Sequence, residues 1–200
     1  MATTDTEHSQ KKARIKAAKD KLYASKTIEK GLLIVHTGTG KGKSTAAWGL
    51  AMRCLGHGLK LGVVQFVKGR RETGERQLLE RFPELVTIKV MGEGFTWETQ
   101  DKARDIAAAE AAWAETEKML QDPELHMVIL DELNIVLRYD YLSLDRVLGA
   151  LKNKRPDLHV VATGRNAKPE LIEAADLVTE MTLVKHPFRQ GVKGQLGVEW

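Results

Sequence analysis

The chain has 200 residues, 42% of them hydrophobic, enough for one domain with a sizeable core and too few for two full domains. Its formal net charge of +4 falls wholly in residues 1–30, where eight Lys and Arg face four acids; residues 31–200 balance 23 against 23 and lack, by count, the basic stripe that tracks a nucleic-acid backbone. A single cysteine, Cys54, excludes an intramolecular disulfide, and no stretch is apolar over a membrane span, so the expectation is a cytoplasmic protein with no nucleic-acid or membrane partner.

Taken in chain order, residues 1–30 form a basic extension rich in Lys and Ala, which favour helix without supplying a wide apolar face. Its acids Asp5, Glu7 and Asp20 count against a mitochondrial presequence. Residues 31–200 alternate short apolar runs with helical patterns. The runs are Leu32 to Val35, Leu61 to Val67, Val86 to Val90, Met127 to Leu130, Val160 to Thr163 and Leu177 to Leu183. This alternation predicts an α/β fold, a mostly parallel sheet flanked by helices. Helices are expected from Ser44 to Leu55, stopped at Gly56-His57-Gly58; from Gln100 to Gln121, the longest, with Trp113 in the core; from the N-cap candidate Ser143 to Lys152; and from Pro169 to Ala175.

In open α/β sheets ligands bind beyond the carboxyl ends of the strands, so the residues after each run matter most. The first run leads into Gly38-Thr39-Gly40-Lys41-Gly42-Lys43-Ser44-Thr45, which reads as a phosphate-binding loop: backbone N–H groups converge on phosphate oxygens, Lys43 adds a point charge and Ser44 offers a hydroxyl to magnesium. The usual spacing calls for its first glycine at Thr37, so the loop is either tighter by one residue or built differently at its start. The fourth run ends in Asp131-Glu132, either carboxylates for the magnesium or a solvated strand end. The fifth ends in Gly164-Arg165, a charge near the phosphates or a surface arginine. After the third, Phe95 and Trp97 stand in a glycine-rich loop, where they plug the sheet edge or face a planar substrate. Zinc-ligand spacing and a Gly-x-Ser-x-Gly elbow are missing, and Lys43 stands where a dinucleotide fingerprint needs its third glycine.

Together the segments Thr37 to Thr45, Gly62 to Gly69, Gly74-Glu75-Arg76, Gly94-Phe95-Thr96-Trp97-Glu98-Thr99, Val128 to Leu133, Thr163-Gly164-Arg165 and Val184-Lys185-His186 resemble the P-loop ATP:corrinoid adenosyltransferases over nearly the whole chain. The resemblance implies a RecA-like P-loop NTPase fold in residues 31–200. It also implies transfer of the 5′-deoxyadenosyl group of ATP to Co(I) of a corrinoid, with triphosphate leaving. Residues Gly38 to Thr45 then hold the triphosphate; Lys43 stabilises the leaving group; Ser44, Asp131 and Glu132 serve Mg2+ or Mn2+; and Phe95 and Trp97 displace the lower axial ligand of cobalt. An electron-donating reductase or flavoprotein and a homodimer, in which the N-terminal helix covers the other subunit's site, are implied as well. The alternatives are a P-loop ATPase or kinase and a non-catalytic corrinoid carrier, whose Asp-x-His-x-x-Gly pattern is met at Asp157 and His159 but fails at Ala162.

Overall fold

The computed structural model describes residues 5–67, 72–91 and 101–200. Phe95 and Trp97 lie outside the described residues. The chain forms two compact units, residues 1–30 and 31–200. The first contains helix α1, Asp5–Ala24. Every side chain described in this unit is exposed, Ile15, Leu22 and Tyr23 included. The sequence therefore makes a helix here through Ala and Lys propensity and buries nothing with it.

The second unit contains β1 (Leu33–Thr37), α2 (Lys43–Gly56), β2 (Leu61–Gln65), α3 (Gly74–Leu79), β3 (Val86–Val90), α4 (Lys102–Gln121), β4 (Met127–Asp131), α5 (Leu133–Arg138), α6 (Leu144–Lys152), β5 (His159–Thr163), α7 (Pro169–Ala174) and β6 (Leu177–Glu180). The six strands form one parallel sheet in the order β3-β2-β4-β5-β1-β6. Strands β1 and β4 are buried at every position, as expected for short apolar runs covered on both faces. One core layer joins Val35, Leu130, Val160 and Ala162 to α4, α5 and α6, and includes Trp113, which is fully buried and lies 6.4 Å from the ring of Phe66. The other joins Ile34, Val63, Ile129 and Val161 to Ala47, Trp48, Ala51 and Cys54 of α2.

Four details depart from the sequence expectation. Strand β2 stops at Gln65, two residues early, because Phe66 turns inward onto Trp113 although its N–H still donates to Asp131 O at 3.0 Å. Strand β6 stops at Glu180 because β1 has ended; Met181 then runs beside the loop that follows β1. Helices α3 and α5 are absent from the sequence expectation, both being short, with six residues each. Helix α4 is no longer than α1, each having 20 residues.

Candidate active site

The ends of β1, β2, β4 and β5 lie side by side, and the sequence motifs meet there. Thr37 is the last residue of β1, and its side chain makes a bond that a glycine could not: Oγ1 accepts the N–H of Ala167 at 3.0 Å, while the backbone carbonyl accepts from Met181 N at 2.9 Å. The phosphate loop accordingly opens one residue later, at Gly38, whose φ of +96° suits glycine and whose added Cβ would meet Met181 O at 2.5 Å. Gly40 N–H donates to the same carbonyl at 2.6 Å. Gly42, at φ +104°, turns the chain into α2. Ser44 is half-buried in the first turn of that helix; Thr39 and Thr45 are exposed.

Lys43 is buried, with Nζ donating to Gly40 O. Burial lowers its pKa, and the charges of Arg165 and Lys41 add to the effect against the attraction of Glu132. Glu132 shows the opposite shift. Its carboxyl is pushed up to about 7, first by burial and then by the charge of Asp131, while Lys43 and Arg165 pull it back. An acid and a base that act on each other electrostatically thus both lean toward neutrality. A bound pair of a cation and a polyanion would reverse both tendencies.

The two carboxylates of the Asp131-Glu132 pair have different surroundings. Asp131 Oδ1 accepts from Thr163 Oγ1 at 2.7 Å, and its Oδ2 accepts from Gln65 Nε2 at 3.2 Å, so each oxygen already has a donor. Glu132 Oε2 is buried with no hydrogen-bond partner. The backbone of Glu132 is left-handed, φ 62° and ψ 24°, and its N–H donates to Thr163 Oγ1 at 3.0 Å. A non-glycine residue in this region is strained by about 1 kcal/mol or more, and such strain gathers at functional sites. Gly164 makes the room, since a Cβ there would sit 3.0 Å from Glu132 Oε2. The orphaned oxygen fits a hard cation, which takes oxygen ligands. Among the described residues no group of three or more His, Cys, Asp and Glu gathers to hold a metal, so the fit rests on Glu132 with the Ser44 hydroxyl and phosphate oxygens.

The structure brings together Lys43, Asp131 and Glu132, with exposed Arg165 close enough to act on the two shifted groups electrostatically. It sets His159 apart, at the opposite end of β5, where Nδ1 accepts from Leu32 N at 3.1 Å and the ring lies 4.9 Å from that of His126. Sequence reading missed Gln65, Thr163 and Asn134. The last is fully buried, and its Nδ2 donates to Gly164 O at 2.8 Å. The available signal for Gln65 and Thr163 was a polar residue closing an apolar strand.

Residues 29–200 match the family described as ATP:corrinoid adenosyltransferase BtuR/CobO/CobP. The chain belongs to this family. A corrinoid adenosyltransferase of Sinorhizobium is 55% identical over 198 residues, covering 98% of this chain and 92% of the relative. One from Pseudomonas aeruginosa is 55% identical over 98% of this chain and 97% of its own length. The corrinoid adenosyltransferase CobA of Salmonella typhimurium is 45% identical over 98% of this chain and all of its own. The adenosyltransferase match takes in the phosphate loop, both acids and the segment with Phe95 and Trp97; it leaves out the whole of α1. Among the described residues no helix is long and apolar enough to cross a membrane.

Proposed function

We propose that the chain transfers the 5′-deoxyadenosyl group of ATP to the Co(I) of a corrinoid, cobalamin or a precursor, and releases triphosphate, in adenosylcobalamin biosynthesis or salvage. The observation that carries this reading is the family match across residues 29–200, the stretch that contains the whole phosphate site. Cobalt donates an electron pair to the 5′ carbon, the carbon–oxygen bond breaks with its pair on the triphosphate, and cobalt is formally oxidised from Co(I) to Co(III).

Negative charge therefore grows on the leaving group, and the chain's own residues meet it. Lys43, free amides of the loop Gly38 to Thr45, and the charge of Arg165 stabilise the triphosphate. Ser44 and Glu132 would hold magnesium or manganese, with Asp131 reaching its waters; the metal's contribution is Lewis-acid neutralisation of the leaving oxygens. Asp131, with a donor already on each oxygen, suits that outer position, and the orphaned Glu132 oxygen suits the inner one. Phe95 and Trp97 cover the lower face of the corrinoid and displace its axial ligand, which makes reduction easier; an apolar wedge needs no hydrogen bond for this. A reductase or flavoprotein supplies the electron. A homodimer of 31–200 domains, each with a basic 1–30 extension, completes the reading.

One observation favours a rival. A carboxyl held near 7 is also what a water-activating base in a P-loop ATPase would display. Anaerobic incubation with ATP, magnesium and chemically prepared Co(I) corrinoid separates the two. The expected products are a cobalt–carbon bond, seen in the corrinoid spectrum, and inorganic triphosphate appearing only with corrinoid. ADP and phosphate in its absence would establish the ATPase instead.

A further inference from the structure

A carboxylate stands where a polyanion site should not want one. Glu199 forms an ion pair with Lys41, inside the phosphate loop and two residues before Lys43. Its side chain is 22% exposed against 56% for Lys41, so the acid is the better enclosed partner. The turn that carries it is well built. Glu199 N–H donates to Gln195 O at 2.9 Å and Gly197 N–H to Trp200 O at 2.8 Å, with Gly197 at φ +77°. The indole of Trp200 lies so close over Gly194 that a Cβ there would meet it at 2.4 Å.

The electrostatics explain what such a carboxylate can do. Lys41, Lys43 and Arg165 bring three positive charges to one loop, and Lys41 and Arg165 both act to lower the pKa of Lys43. The charge of Glu132 answers that of Lys43. Glu199 answers Lys41. When triphosphate occupies the loop, Lys41 gains phosphate oxygens and Glu199 becomes a like charge beside a polyanion. The acid and the triphosphate therefore compete for one ammonium group.

Resting on the adenosyl-transfer reading above, we infer that Glu199 is a built-in competitor for Lys41 that weakens the grip of the loop on triphosphate and speeds its release as product. The energetic scale is that of a partly exposed ion pair, so the expected change is a modest one. Calorimetric titration of the full chain with inorganic triphosphate and magnesium, joined to a stopped-flow measurement of its dissociation, tests the idea. Glu199→Gln is expected to bind triphosphate roughly twofold to fivefold tighter and to release it more slowly. The gain should disappear in a Lys41→Gln background. Gly194→Ala, which keeps the carboxylate but pushes the Trp200 turn away, should reproduce the gain. Unchanged or weaker binding by Glu199→Gln, or an equal gain without Lys41, overturns the inference. Because the titration needs no corrinoid, failure of adenosyl transfer with triphosphate binding intact counts against the functional reading alone.

Discussion

At the scale of single residues, the site is organised around two groups that burial pushes toward neutrality. For Glu132 the sign can be followed through. Its pKa is 4.5 when unperturbed and about 7 in the folded chain, so between those values the folded state holds the extra proton. Stability in the absence of ligands therefore falls as pH rises through that window and levels off above it. The full shift corresponds to about 3 kcal/mol. Urea unfolding at pH 5 and pH 8 should show wild type losing stability across the interval and Glu132→Gln losing markedly less; parallel losses would assign the slope to other groups. The same variant should lack transferase activity, because glutamine offers a cation no charge.

At the scale of elements, the phosphate loop depends on a neighbour that is distant in sequence. Gly38 and Gly40 press against the backbone of Met181 and Thr182, just past β6. Gly38→Ala puts a Cβ into that backbone at positive φ, and is expected to cost about 1–3 kcal/mol and to weaken ATP binding, as read by thermal melts and calorimetry. Gly49→Ala, in the middle of α2 with open space around it, serves as the control and should be neutral or stabilising by up to about 1 kcal/mol. This contrast also marks what the sequence could disclose. Strands β1, β4 and β5 are legible because burial on both faces leaves nearly unbroken apolar runs, and Ser143 caps α6 as its position suggests, accepting from Arg146 N. The Met181 contact is not legible, since it arises only when β6 pairs with β1. Gln65 and Thr163 look like ordinary strand ends until the sheet brings both onto Asp131. Glu132 heads α5 with no side-chain cap, so that helix carries no starting signal.

At the scale of the molecule, the two units predict separable behaviour. Residues 7–30 bury no side chain, so a chain beginning at Gly31 should keep cooperative unfolding with a midpoint shifted by less than about 2 °C, and should still bind ATP. A broad or lost transition would show instead that α1 belongs to the fold. The strand order has a consequence for how the protein is made. Strand β1 is the first to leave the ribosome, yet its neighbours are β5 and β6, with Leu33 beside Val160 and Ile34 beside Leu177. Strands β2, β3 and β4 can pair while synthesis continues; β1 must wait. The proposed triphosphate loop, which follows β1, is thus among the last parts of the domain to mature. A nascent chain that has already displayed every residue of its phosphate loop still has no loop to offer until almost the whole protein has been translated.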